Sequence, residues 1–495
     1  MRYAALSYSL LLCLACGDST DPTVPVDAGG RVADTGGQPM PDGGSMTLRD
    51  AALSDARPAD DAAVSLDATA VELDAGFAED AQVSQDAQVS QDAGFSSANR
   101  LWSQIGGDID GESTNDKSGS SVSFSADGSV LAVGAIENDG GGSDAGHVRI
   151  YRNVSGSWIQ IGQDIDGETA GDKSGYSVSL NADGSIVAIG AIYNDGNGGF
   201  DNGHVRVYQN VAGTWTQIGQ DIDGENGLDQ FGNSVALNAD GSIVAIGARY
   251  NDGNGGNAGH VRVFQNIGST WTQIGQDIDG EASGDELGSS VSLSNDGSIV
   301  AIGAQYNDGN GSNSGHIRVY QNVAGTWSQI GQDIDGDASN DQFGHSVSLS
   351  SNGSIVAIGA IGNDGAGLDA GHVRVYQNVA GTWTQIGQDI DGEAAENKFG
   401  DSVSLSADGS IVGIGAVFNY DNGIEAGHVR IYQNVAGTWT QLGQDIDGEA
   451  MNDQSGGAVS LSSDGLNIAI GAHLNDGNGS NSGHVRVYKL LNASN

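Results

Sequence analysis

Two cysteines are all that this 495-residue chain has, Cys13 and Cys16, both ahead of residue 17. The remainder has no thiol for a disulfide, so its stability must come from packing or from bound metal. Prolines number five, and none lies beyond Pro58. Basic residues are scarce too: 18 Lys and Arg stand against 64 Asp and Glu, a formal charge of −46. So anionic a surface repels nucleic acid and anionic lipid and attracts cations, which excludes a nucleic-acid partner. No G-x-S-x-G, H-E-x-x-H or Walker pattern occurs, so the usual sequence marks of catalysis are missing.

What is abundant is one unit. Tryptophans fall at Trp102, Trp158, Trp215, Trp271, Trp327, Trp383 and Trp439, a period of 56 or 57 residues. A repeat of that length, made of alternating apolar residues and Gly/Asn/Asp turns, signals an array of small sheets rather than a helical solenoid. In the third unit four strand-like runs stand out: Trp215–Ile218, Ser234–Leu237, Ile243–Ala248 and His260–Phe264. The Ile243 run is apolar almost throughout, as in a strand buried on both faces, and the others alternate. Asp240-Gly241 between the second and third runs is a tight-hairpin signal. The fold class is therefore all-β: a seven-bladed β-propeller of four antiparallel strands per blade, over residues 101–491 with a short tail at 492–495. The N-terminal run Leu101–Ile105 is placed beside His484–Tyr488, where it closes the last blade and removes an exposed sheet edge.

FGNSVALNADGSIVAIGA in the third unit, with FGHSVSL and FGDSVSL in the fifth and sixth, resembles the FG-GAP repeat of integrin α-subunit propellers, in its bacterial, calcium-site-poor form. The likeness covers 101–491 and implies a propeller used for adhesion or protein-ligand recognition. Two departures stand out. The proline of "GAP" is replaced by Ile136, Ile192, Arg249, Gln305, Ile361, Val417 and His473. Where the integrin repeat carries its calcium loop, this chain has only the turn Asn238–Gly241, so the resemblance carries the fold and not that metal site.

Ahead of the array, Met1–Ala15 has one cation, Arg2, and the apolar stretch Leu6–Leu14, too short to span a bilayer. It reads as a secretory signal peptide. Cys13-Leu14-Ala15-Cys16-Gly17 resembles a bacterial lipobox, with Cys16 as the lipidated N-terminus and Cys13 where leucine is usual. The expectation is an exported lipoprotein whose only membrane contact is the anchor at Cys16. Gly17 resembles outer-membrane sorting; a secreted protein without an anchor is the alternative. Residues 17–100 carry 16 acidic against 4 basic residues and almost no aromatics. Too little apolar surface is present to offset the entropy of ordering, so this segment is expected to be a disordered, self-repelling tether.

Strand order puts two loops of every blade on one face: the NDGNG loop before the HVRVY strand and the DIDGE loop after the Trp strand. In the second unit the DIDGE loop sets carboxylates at relative positions 1, 3, 5 and 9, Asp164, Asp166, Glu168 and Asp172, around a glycine turn. Flexible calcium loops supply hard oxygen ligands in this way, so Ca2+ is the candidate cofactor. The set recurs as Asp108, Asp110, Glu112 and Asp116; as Asp221, Asp223, Glu225 and Asp229; and as Asp277, Asp279, Glu281 and Asp285. It continues as Asp333, Asp335, Asp337 and Asp341, and as Asp445, Asp447, Glu449 and Asp453, whereas the sixth unit has Asn397 after Asp389, Asp391 and Glu393. The same side chains equally suit capping of turns by accepting backbone N–H bonds, and both readings stand. His147, His204, His260, His316, His372, His428 and His484 each open an HVRVY-type strand without a second His or Cys at ligand spacing, so a hydrogen bond to a carboxylate is expected rather than a transition metal. The arginines two residues on are expected to form inter-blade ion pairs.

Positions that differ between units are fewer. After each "GA" and one further residue stand Glu137, Tyr193, Tyr250, Tyr306, Gly362, Phe418 and Leu474. Tyr193, Tyr250, Tyr306 and Phe418 are candidate ligand contacts, or pack under the neighbouring loop. Because nearly every polar feature is repeated sevenfold, no asymmetric acid–base or nucleophile–base constellation is apparent, and the chain is expected not to be an enzyme. The expected function is monomeric, non-catalytic binding or adhesion at the cell surface, to a protein or, lectin-like, to a glycan, with calcium dependence open. A coat or spacer without a ligand is the alternative.

Overall fold

The computed structural model describes residues 100–196 and 199–492. The expected leader, the lipidation site Cys16 and the tether fall outside the described residues. Among those described, no helix is long and apolar enough to cross a membrane.

Seven antiparallel sheets are arranged in a ring. In the third, the order from the axis outward is Ser234–Leu237, Ile243–Ala248, His260–Asn266 and Trp271–Gln273. The second strand is apolar because it is covered on both sides: Val244, Ala245, Ile246 and Ala248 are fully buried. The last blade takes its outer strand from the other end of the chain. Arg100–Gln104 pairs with His484–Asn492, Trp102 opposite Leu490. Each sheet also has a fifth, two-residue strand that sequence alone does not reveal. Ile278–Asp279, the middle of DIDGE, pairs with His260 and Val261, so half of the supposed loop is a continuation of the outer edge.

The hydrophobic core is divided among the seams between blades. The cluster between the second and third blades joins Val205 and Val207 of one to Phe231, Val244 and Ile246 of the other. Glycine is needed where backbones meet near the axis. A Cβ on Gly190 would lie 2.2 Å from the Gly232 carbonyl oxygen, and Gly232 itself has φ +91°. The serines of the inner strands stitch the seams: Ser177 Oγ donates to Gly232 O at 2.7 Å, and Ser179 Oγ accepts from Leu237 N at 2.9 Å. On the outside, Trp215 Nε1 donates to Ile161 O of the preceding blade at 2.8 Å. Gln163 then clamps the Trp215 backbone, donating to its carbonyl at 2.8 Å and accepting from its N–H at 3.1 Å.

Seven backbone hydrogen bonds run head to tail round the axis at the tight turns between first and second strands, Asp-Gly in six blades and Asn352-Gly353 in the fifth. Ala126 N donates to Ala182 O, Ala182 N to Ala239 O, and so on through Asn295, Ser351, Ala407 and Ser463, whose N–H returns to Ala126 O at 2.8 Å. This circle narrows that end of the channel to a hollow of about 130 Å³.

The seam between the seventh and first blades is poorer than the others. Gly107 stands where six seams have the clamping glutamine, and Ala458 where six inner strands have the stitching serine. Its core cluster is the smallest of the seven, and a cleft of about 290 Å³ opens beside Gly107 and Trp158. A Cβ at Gly107 would meet nothing within 4 Å, and its φ is not in the left-handed region. Gly107→Gln is therefore expected to add two hydrogen bonds and stabilise the ring by about 1–2 kcal/mol, seen as a raised thermal midpoint. Gln276→Ala, which removes the same clamp at another seam, is expected to lower it by a similar amount.

Candidate functional site

The loop face has two parts, an acidic rim repeated round the ring and an irregular mouth on the axis. On the rim the four carboxylates of one DIDGE copy do not converge. Positions 5 and 9 of one copy face positions 1 and 3 of the next. Glu112 and Asp116 thus line a cleft of about 360 Å³ with Asp164 and Asp166, which includes Asn138 and Asp139 of the intervening NDG loop.

Most of these groups are already engaged. Asp116 is buried, and one of its oxygens accepts from Ser113 N at 2.8 Å, Glu112 N at 3.1 Å and Asn138 Nδ2 at 3.1 Å. Asp172, Asp229, Asp285, Asp341 and Asp453 each likewise hold the asparagine of an NDG loop and a backbone N–H of their own turn. At position 5, Glu112, Glu168, Glu225, Glu281 and Glu449 pair with strand arginines at 3.2–3.4 Å, as Arg149 does with Glu112. Asp337 pairs with Arg374, which Asp389 also contacts at 3.0 Å. At position 1, Asp108, Asp164, Asp221, Asp277 and Asp333 accept from a glutamine of the outer strand at 2.5–2.6 Å, and Asp445 accepts from Gln441. Position 3 differs. Asp166, Asp279, Asp335 and Asp447 have their carboxyls pushed up by burial and then by the neighbouring position-1 aspartate. Asp110 and Asp223 occupy the equivalent strand positions.

The histidines lie beneath this rim. Among the described residues, two carboxylates and one imidazole gather within 4.8 Å in at least five places, among them Glu112, His147 and Asp164, and Asp108, Asp110 and His484. The expected His–carboxylate hydrogen bond is not formed: His147 Nδ1 lies 4.0 Å from both Asp164 and Asp166, and His316 Nδ1 lies 3.9 Å from Asp335. Burial of the ring, reinforced by the arginine two residues on, lowers the pKa of His147, His204, His260, His316, His372 and His428 to about 4. The imidazoles are neutral, and the guanidinium is the cation that position 5 already holds. What a hard metal ion finds is Asp166 and one oxygen of Asp164 opening on a wet cleft. That fits a largely hydrated cation better than a closed calcium cage of six to eight oxygens.

The mouth is different in kind, because it is built from positions at which the repeats disagree. The residue after "GA" there is Ile136, Ile361, Val417 or His473, the former site of the family proline, and the residue after the inner glycine is Ser120, Tyr176, Asp401 or Gly457. With Lys398, Phe418 and Gln454 these line a cavity of about 430 Å³. A polar chain runs on round the rim of the opening. Glu137 binds Lys117 and Lys173, both at 3.0 Å. Arg249 donates to Gln230 at 3.0 Å and lies 4.7 Å from the Tyr250 ring centre. His345 contacts Gln305 at 2.7 Å and Asp401 at 3.5 Å. Of the four aromatics singled out from sequence, Phe418 lines the cavity, Tyr250 lies under Arg249, Tyr306 is half-buried, and Tyr193 is 37% exposed. Tyr176, His345, Lys398, Asp401 and His473 were not singled out. Comparing the repeats column by column would have found them, since each sits in a column with no consensus.

A buried histidine with a depressed pKa stabilises the fold fully above its unfolded pKa near 6.5, and the contribution is lost as pH falls towards 4. Each such ring steepens the fall by up to about 1.4 kcal/mol per pH unit in that window. His260→Gln is expected to flatten the dependence by about one histidine's share, measured as urea unfolding at pH 7, 5.5 and 4.5. An unchanged slope would mean that His260 is not neutral and buried in solution.

A family model described as FG-GAP repeat matches residues 222–264, 278–320, 327–376 and 446–488. No curated protein matches the chain. Two solved structures are similar in part. One, described as a 6-phosphogluconolactonase of Bacteroides uniformis, is 13% identical with a TM-score of 0.47, over 66% of this chain and 85% of that one. The other, hydrazine synthase of Kuenenia stuttgartiensis, is 12% identical with a TM-score of 0.45, over 74% and 94%. The matched family segments each begin at a DIDGE or Trp strand and end in an HVRVY strand, and they fall on blades whose sheets have the repeat's strand order. Four segments of the chain match the FG-GAP repeat, and the described fold that carries them is a seven-bladed β-propeller.

Proposed function

We propose that the protein is a non-catalytic binding module that takes a surface ligand, protein or glycan, at its axial mouth. One observation carries the reading. The Trp, HxR and Ile-Asp positions are the same in all seven units, whereas the channel-mouth columns read Lys/Lys/Gln/Glu/Gln/Lys/Gln and Ser/Tyr/Asn/Ser/His/Asp/Gly. Structural needs keep the first set uniform, and a specific partner needs the second to be asymmetric. The cavity is of the size that small ligands or a protruding side chain fill. The leader and Cys16 support export and an outer-membrane lipid anchor, with the acidic tether as spacer. A ligand-free coat is the second reading, favoured by the near-identity of the blades elsewhere.

Retention of the labelled protein on whole cells separates the two. Phe418→Ala combined with Tyr176→Ala is expected to reduce retention severalfold, while Ile159→Ala on an exposed outer strand leaves it unchanged. Equal retention of all three would favour the coat.

Calcium, in this reading, acts at the rim through Asp164, Asp166 and their equivalents. Ligand bound only to the native state stabilises by RT ln(1 + [L]/Kd), so millimolar calcium is expected to raise the thermal midpoint above that with EDTA, and magnesium, held through its water shell, to act in the same direction. An unmoved midpoint would leave these carboxylates as turn caps.

A further inference from the structure

The charge of the mouth is at odds with the face around it. Residues 101–495 hold 13 Lys and Arg, of which seven are the strand arginines of the HxR motif. Arg152 and Lys489 are exposed on the outer halves of third strands. The remaining four, Lys117, Lys173, Arg249 and Lys398, all stand at the axial opening. Lys117 and Lys173 share Glu137, and Arg249 is held by Gln230 and the face of Tyr250. Among the described residues, Lys398 alone of the four makes neither an ion pair nor a side-chain hydrogen bond through its charged group, since Arg249 has Gln230. Its ammonium lies 5.9 Å from the Phe418 ring centre, on the wall of the 430 Å³ cavity.

A cation is only half of what this cavity offers. Asp401, which as a carboxylate only accepts hydrogen bonds, lies on the same wall beside His345, and Ser120, Tyr176, Gln454 and His473 complete the polar lining. Burial lowers the pKa of His473, so near neutral pH it presents one donor and one acceptor. A ligand that satisfies both Lys398 and Asp401 must carry an anion and hydroxyl donors together. An ionised Asp or Glu side chain of a protein partner has no donor for Asp401 and would be repelled by it. Aromatic faces beside polar groups suit a ring with apolar C–H faces and equatorial hydroxyls. The volume admits one or two such rings.

Resting on the mouth being the binding site, we infer that it binds a sugar acid, a uronate-type residue whose carboxylate sits on Lys398 and whose hydroxyls bond Asp401, Gln454 and His473. The surrounding acidic rim then works as a filter. It repels polyanions at long range, whereas a single carboxylate on a neutral sugar reaches Lys398.

The test is titration of the full chain with glucuronate and galacturonate, with glucose and galactose as neutral matches, and with an acidic glutamate peptide as competitor class. Binding of a uronate, weakened by salt and at least about tenfold tighter than its neutral sugar, is expected. Lys398→Met is expected to cost about tenfold for the uronate and little for the neutral sugar, and Lys398→Arg to restore most of it. Arg152→Met is the control that leaves binding unchanged. Equal affinity for acid and neutral sugar, or a peptide that binds tighter than either uronate, would overturn the inference. If no uronate binds yet the Phe418/Tyr176 variant still loses cell retention, the mouth is the site and the sugar-acid assignment fails. If retention is also unaffected, both readings fail.

Discussion

The circle of seven backbone hydrogen bonds at the turns between first and second strands is the constraint from which the rest follows. Each turn gives its N–H to one neighbour and its carbonyl to the other, so the chain of donors is satisfied only when the ring is complete. Such a circle leaves no buried donor unpaired in a place water enters poorly. It also decides which end of the channel can hold a ligand. The turn end is drawn together and the opposite end is splayed, so the open mouth falls among the NDG and DIDGE loops.

Closure of the circle leaves each seam to be held by its own contacts, and these are of three kinds arranged by radius. Serine hydroxyls bond near the axis, apolar side chains pack at mid-radius, and tryptophan and glutamine lock the outside. The arrangement is redundant, which is why the seventh seam tolerates Gly107 and Ala458. The chain itself crosses that seam, through the segment between Gln104 and Ser118, as it crosses every other. The first and last described strands meet elsewhere, inside the seventh sheet, where Trp102 pairs with Leu490 and its indole reaches Leu442.

Much of this was legible beforehand because the repeat multiplies weak signals sevenfold. The four main strands of a blade, their order, the blade count and the closing role of the run at Leu101–Ile105 all follow from the period, the alternation and the turn residues. The DIDGE segment was harder. Its spacing looks like one loop with four ligands, but the Ile-Asp pair is strand and the chain then crosses to the next blade. The carboxylates are therefore shared between successive copies, and only the three-dimensional seam shows that Asp166 faces Glu112 rather than Glu168. The histidines misled for a related reason. Proximity to acid suggests a hydrogen bond, yet the strand pairing that sets His147 against Asp166 holds the two side chains at 4.0 Å and buries the ring in a neutral state.

A propeller of repeated blades has a symmetric rim and an axis on which all seven blades converge. Any residue that varies along the rim changes one seventh of a large surface, while any residue that varies at the mouth changes a single shared cavity. Variation at the axis is therefore concentrated in one place, and there the columns diverge, from Ser120 and Tyr176 to His345 and Asp401. The position that the family fills with proline lies in this wall. Releasing it to Ile136, Arg249, Gln305 or His473 leaves the blade intact, because the preceding Gly-Ala already makes the close contact with the next blade. The proline column is thus one of three that give the mouth its mixed chemistry, and it varies where the fold leaves the side chain free to change.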